Sequence, residues 1–194
     1  MELIRSFVAI ELPRQVKGAL GEMQQVLKAA GITDQVRWVR PEGMHLTLKF
    51  LGDVPATKTD EIALAVAQAS CEVHPFSIRI VGLGCFPSLS HPNVVWVGVQ
   101  GDTEELTTLQ QNIENRLSAL GYPPERRTYT PHLTLGRVAR NATGGQRRRL
   151  GEVIGAHECE PSADMQVREV TLMRSDLSPS GARYTELAVV PLKE

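Results

Sequence analysis

The tetrapeptide HLTL occurs twice, at 45–48 inside PEGMHLTLKFLG (41–52) and at 132–135 inside TYTPHLTLGRV (128–138). The chain has only five histidines, so two copies of the same short string, each entered just downstream of a proline, point to a common cause. Side chains alternate faces along a strand, which places His45 and Thr47 on one side and Leu46 and Leu48 on the other, toward a core. His132 and Thr134 repeat this pattern over Leu133 and Leu135.

Outward from these copies, the two halves run in the same order. Leu3 to Leu12 reads as a strand that stops at Pro13, where a helix begins and continues to a terminating Gly31. VRWV (36–39) is a short strand before the first HLTL. After Gly52, Thr57 followed by Asp60 resembles a capping box and opens an apolar helical repeat, and FSIRIVGLGCF (76–86) comes next as a strand. The second half supplies strand VVWVGV (94–99), helix TEELTTLQQNIENRLSAL (103–120) closed by Gly121, strand PHLTLGRV (131–138), a helix around QRRRLGEVIG (146–155), and strands VREVTLMRS (167–175) and RYTELAVV (183–190). Stretches near 86–93 and 176–182, rich in Ser, Pro and Gly, read as hairpin connections at the rims of a cleft.

Self-similarity at this scale implies duplication of a βαβαββ-like unit. The expected fold is α+β, a single bilobal domain over residues 1–194, with two pseudo-symmetric lobes whose antiparallel sheets face a central cleft and whose helices lie outside. That symmetry would bring two imidazoles and two hydroxyls to one cavity.

Composition narrows the function. In 194 residues, 42% hydrophobic content fills an ordinary core, and 21 basic residues against 22 acidic ones exclude a polycation that coats nucleic acid. Any contact with nucleic acid is therefore local. Cys71, Cys85 and Cys159 are odd in number and form no CxxC pair, which argues against a disulfide framework or a structural zinc and for a reducing cytoplasm. MELIRSFVAIELP has neither the charge pattern of a signal peptide nor an apolar run able to span a bilayer, so neither export nor a membrane anchor is expected.

Two histidines, with unperturbed pKa values near neutrality, suit a reaction in which one proton leaves a nucleophile and another reaches a leaving oxygen. The spacing does not say which is acid and which is base. Hydroxyls of Thr47 and Thr134 are uncharged donors for non-bridging phosphoryl oxygens. Simple alternation puts Lys49 on the same face as His45 and Thr47, as a third donor or as a solvated strand end. Arg137 follows Gly136, where a bend would swing its forked guanidinium toward a phosphate.

These residues, with RSFVAIELP, WVRPEGMHLTLKFLGDV, FPSLSHPNVVWVGV, YTPHLTLGRV and LMRSDLSPSGARYTEL in that order, resemble the 2H phosphoesterase superfamily, and within it the RNA 2′,3′-cyclic phosphodiesterases once called 2′,5′ RNA ligases. The likeness covers nearly the whole chain. It implies that His45 is the proton donor and His132 the proton acceptor, that Thr47, Thr134 and Arg137 contact the phosphate, and that neither metal nor cofactor is used. It implies as partner an RNA ending in a 2′,3′-cyclic phosphate, opened by water to a 2′-phosphate. Rival readings are 2′,5′ ligation of tRNA halves and a nucleotide-binding module without turnover. Tyr129 stands where the family commonly has Phe, and Phe50 occupies the position matching Arg137, so the halves are not equivalent.

Other features have two readings. Phe7 and Trp96, placed at matching positions of the two halves, either stack a base or pack the core. Arg147, Arg148 and Arg149 either hold an RNA backbone or form a charged helix face. His74, His91 and His157 have no zinc-ligand spacing. GLGCFP (82–87) is no dinucleotide fingerprint, since its glycines do not open a helix. The sequon at Asn141–Thr143 is incidental in a protein that is not exported.

Overall fold

The computed structural model describes residues 2–32, 34–157, 163–178 and 181–193. Nine strands and four helices run in the order β1 (Leu3–Glu11), α1 (Arg14–Leu27), β2 (Val36–Trp38), β3 (His45–Pro55), α2 (Thr59–Ser70), β4 (Phe76–Ser88), β5 (His91–Gly101), α3 (Thr103–Ala119), β6 (His132–Val138), α4 (Gly144–Ala156), β7 (Ala163–Val167), β8 (Glu169–Ser178) and β9 (Gly181–Pro191) among the described residues. They make two antiparallel sheets, ordered β3-β1-β8-β9 and β2-β6-β5-β4-β7. The fold is α+β, as the alternation of patterns implies.

Apart from β2 at the edge of the second, the two sheets match strand for strand, β3 with β6, β1 with β5, β8 with β4, and β9 with β7. This correspondence does not divide the chain at its middle. The last strand of the first half, β4, pairs with β5 of the second, and β8 of the second half pairs with β1 of the first. The first sheet therefore takes β8 and β9 from the second half and the second sheet takes β2 and β4 from the first, which the repeated order of elements alone does not reveal. The helices cross over as well: α2 and α3 pack against the first sheet, and α4 covers β4 and β5 of the second, to which α1 is hydrogen-bonded.

Helix α1 buries Val16, Leu20, Gln24 and Leu27, one face at the helical spacing. It ends through a wider turn at Gly31, whose φ of 86° suits a residue without a β-carbon. Helix α2 starts later than the Thr57/Asp60 pattern suggests: residues 56–58 form a 3₁₀ turn, and no side chain caps the helix. The capping box is instead on α4, where Thr143 and Gln146 bond reciprocally, so the sequon's threonine is a helix cap. Full burial of aliphatic side chains from both sheets and all four helices, each Val, Leu or Ile contributing about 1.5–3 kcal/mol, makes a continuous core from Leu20 and Leu46 through Ile62 and Leu106 to Leu133 and Leu150. Among the described residues no helix is long and apolar enough to cross a membrane.

Candidate active site

Both HLTL copies lie in strands, and both are followed by the same irregularity. On β3, Ala9 pairs with Thr47 but Val8 pairs with Lys49, so Leu48 is an extra residue. On β6, Trp96 pairs with Thr134 but Val95 pairs with Gly136, so Leu135 is extra. A bulge of this kind shifts the alternation by one and re-aims the side chains downstream of it. It brings Arg137 back to the face of His132 and Thr134, and Phe50 to the face of His45 and Thr47.

The same shift corrects the expectation for Lys49. The side chain turns into the protein, 1% exposed, and its Nζ donates to Glu114 Oε2 at 2.8 Å and to the Pro123 carbonyl at 2.9 Å. Lys49 holds α3 and the segment after it, and is turned away from any phosphate on the His45 face. Alternation without the bulge would have placed it there.

Each bulge has a built-in partner. Gln24 on α1 donates through Nε2 to the Leu135 carbonyl at 2.8 Å and to the Val39 carbonyl at 2.7 Å. Gln110 on α3 donates to the Leu48 carbonyl at 3.4 Å. Buried carbonyls need donors, and a glutamine from the corresponding helix supplies one at each bulge. Gly136 is required by closeness: a β-carbon there would stand 2.4 Å from Val36 Cγ1 of β2.

The two imidazoles are clamped alike. His45 Nδ1 lies 3.0 Å from the Gly43 carbonyl and His132 Nδ1 2.7 Å from the Thr130 carbonyl. A carbonyl only accepts, so Nδ1 carries the hydrogen in both rings and Nε2 is left for chemistry. Their surroundings differ. His45 stacks on Phe7 with centroids 4.6 Å apart and meets the edge of Tyr184 at 5.0 Å. His132 touches Phe86 edge-on at 4.8 Å, with Trp96 at 6.5 Å.

Pairing shows that Ala9, not Phe7, corresponds to Trp96, which corrects their supposed equivalence. The small Ala9 leaves room for Phe7 and His45 to meet. In the other lobe the indole fills that room, lying over Gly84, where a β-carbon would come within 2.3 Å of the ring. Phe7, 2% exposed and packed with Ala9, Met173 and Tyr184, has no free face for a base. Its role is to support His45.

Burial, which disfavours the charged imidazole, dominates both titrations. It drives the His45 pKa down to about 4, partly opposed by the Gly43 hydrogen bond, with Lys17 adding a smaller push downward. His132 is also lowered, chiefly by burial, with the Thr130 bond opposing and Arg137 assisting. Burial raises the Tyr184 pKa overall, and Arg137 opposes that rise. The guanidinium therefore acts on both the ring beside it and the tyrosine against His45. Strand β3 adjoins β6, and Tyr129, anchored in the second lobe, donates its hydroxyl to the Thr47 carbonyl at 3.3 Å. This bond uses the oxygen that a phenylalanine would lack.

Tyr184 and Phe86, which frame the two rings, carry no signal of their own in the sequence, although both lie in the blocks RYTEL and FPSLS. Arg147 is structural: it bonds the Pro92 and Ala139 carbonyls and Asn93. His157 bonds the Val153 carbonyl; Cys159 lies outside the described residues. Among these residues no group of three His, Cys, Asp or Glu side chains converges as a metal site would.

Comparison with known proteins identifies the fold and the family. An RNA 2′,3′-cyclic phosphodiesterase of Methanothermobacter thermautotrophicus is 38% identical over 191 residues, covering 97% of this chain and 99% of the relative. One from Thermotoga maritima is 33% identical, covering 95% and 93%. The crystal structure of Escherichia coli LigT in apo form superposes with a TM-score of 0.78 at 25% identity over 100% of both chains. The description "2'-5' RNA ligase superfamily" matches residues 12–179. The chain belongs to the 2′-5′ RNA ligase superfamily.

Proposed function

We propose that the protein is an RNA 2′,3′-cyclic phosphodiesterase, opening a terminal cyclic phosphate to a 2′-phosphomonoester with two histidines as general base and general acid. The observation that carries this reading is the duplicated clamp: two rings held through Nδ1 by the carbonyl two residues upstream, each with Nε2 left over. The curated relatives of the same length, named for this activity, support the choice of substrate.

In the proposed reaction His132 Nε2 takes a proton from water as the oxygen attacks phosphorus. Arg137 beside it favours the neutral ring that a base requires. The bond to the 3′ oxygen breaks, and His45 Nε2–H delivers the proton to it. In the free protein His45 is largely neutral at pH 7, so it takes up its proton with the substrate: the phosphodiester anion supplies the opposite charge that the buried ring lacks. The face of Phe7 beneath the ring favours the cation once formed. Thr47 and Thr134 hydroxyls and the Arg137 guanidinium hold the non-bridging oxygens, where charge is balanced during displacement. The free thiols of Cys71 and Cys85 suit a cytoplasmic site of action.

The test is turnover of an RNA carrying a 2′,3′-cyclic phosphate, with and without a 5′-hydroxyl partner strand. A 2′-phosphate should form in both cases, and mostly joined product would refute hydrolysis. His45→Ala and His132→Ala should each lower kcat by about 10²- to 10⁴-fold with folding intact. Undiminished activity in either overturns the proposal.

A further inference from the structure

The repeat pairs Arg137 with an aromatic residue. Phe50, re-aimed by the bulge on β3, is 57% exposed, and its ring stands 5.9 Å from Phe7, which in turn underlies His45. From Phe50 a groove of about 540 Å³ opens between Leu51–Gly52 and the segment Tyr122–Arg127. This volume falls in the range of small-ligand sites. Arg126 and Arg127 line it, exposed and without a carboxylate partner among the described residues. Glu125 is the single acidic lining residue, so the groove is net positive. The segment is fixed in place: Lys49 bonds the Pro123 carbonyl at 2.9 Å, and the Glu125 amide donates to Glu114 at 3.4 Å.

We infer that this groove is a second binding site, which takes the single-stranded RNA upstream of the reacting end by stacking a base on Phe50 and placing backbone phosphates on Arg126 and Arg127. A solvent-facing aromatic ring beside unpaired guanidiniums is the combination that holds single strands without reading their sequence. The Phe50 ring stands 5.9 Å from Phe7 and the Phe7 ring 4.6 Å from His45, so Phe50 lies no more than about 10.5 Å from the His45 ring. At the ~3.4 Å rise of a stacked strand this is at most about three nucleotides from the cyclic phosphate. The site therefore selects oligonucleotides over mononucleotides.

This inference rests on the phosphodiesterase reading, and its test separates the two. Kinetics would be compared on 2′,3′-cyclic AMP and on a penta-adenylate ending in a 2′,3′-cyclic phosphate. The wild-type protein should show a lower KM for the pentamer. Phe50→Ala should raise that KM about 10-fold while leaving the parameters for cyclic AMP within about twofold. Arg126→Ala with Arg127→Ala should do the same and flatten the dependence of log KM on log salt by about 1.4, at about 0.7 per phosphate contact. Equal KM for both substrates in the wild type, equal effects of the variants on both, or no effect on either would overturn the inference. Should the wild type open neither substrate, the phosphodiesterase reading fails. Anisotropy of a labelled penta-adenylate with the same variants then still decides the groove: unchanged affinity refutes it and weakened affinity supports it.

Discussion

Replacing Lys49 with methionine distinguishes a structural lysine from a phosphate ligand. Its ammonium is enclosed by Glu114 and the Pro123 carbonyl, and the Glu114 side chain is itself only 11% exposed. Methionine keeps the volume but leaves that carboxylate with two weak donors, Gln110 Nε2 and the Glu125 amide, both at 3.4 Å. Removing one member of a buried pair costs about 3–5 kcal/mol. The remaining access of water to Glu114 places this case at the lower end, about 3 kcal/mol. For a chain of this size that is a loss of roughly 6 to 12 °C in Tm. Glu114→Gln alone should also destabilise, by stranding the lysine, whereas Lys49→Met combined with Glu114→Gln should recover most of the loss. Urea unfolding of the four proteins gives the coupling directly. Throughout, KM for 2′,3′-cyclic AMP should stay within about twofold. A Lys49→Met protein of wild-type stability with a raised KM would refute the assignment and restore Lys49 to the phosphate.

Protonation supplies two further expectations. Since one histidine must hold a proton and the other must not, kcat/KM should trace a bell between their free-protein pKa values. With His45 at about 4 and His132 below 6.5, its maximum should fall on the acid side of pH 6.5, and a profile still rising through pH 7 would contradict both shifts. Stability should respond in the same range. The unfolded chain binds the His45 proton at about 6.5 and the folded one only near 4, so stability is full above pH 6.5 and falls as the pH drops toward 4, by at most about 3 kcal/mol. Urea midpoints of the wild type and His45→Gln should converge as the pH is lowered; parallel curves would exclude the effect. Gln24→Ala, which takes the side-chain donor from the Val39 carbonyl and leaves the Leu135 carbonyl with the Val39 amide, should cost about 1–3 kcal/mol and lower kcat by loosening the bulge that aims Arg137, and kcat unchanged despite lost stability would separate the bulge from catalysis. Added chelator should leave turnover unaltered.

Most of the fold could be read because the repeated periods are strong. The strand at Leu3–Glu11, the helix stop at Gly31 and the alternation through both HLTL copies are local signals, set by side-chain spacing and by glycine's access to positive φ. His45 and His132 were legible for the same reason: they repeat. The features missed depend on non-local pairing. A bulge is a relation between two strands, so nothing at Leu48 announces that Lys49 will turn inward while Phe50 turns out. The buried Gln24 and Gln110 look like ordinary polar positions on helices until the bulge carbonyls they bond are located. Tyr184 reaches His45 from a strand near the other end of the chain, a proximity that no spacing encodes. The exchange of β2 and β4 for β8 and β9 between the halves is hidden for the same reason, since order along the chain is silent about which neighbour a strand chooses.

That exchange has a consequence for assembly. A fragment comprising only the first half would own β1 and β3 but lack the β8 and β9 that complete their sheet, while its β4 would carry an open edge where β5 belongs. Two such fragments could satisfy one another by reciprocal donation, so the unit that was doubled is self-complementary as a pair and incomplete as a monomer. In the present chain the polypeptide linking β4 to β5 acts as a tether, turning what would be an association between molecules into an intramolecular closure whose yield does not depend on concentration. The lobe carrying His45 then reaches completion only after β8 and β9 have been synthesised.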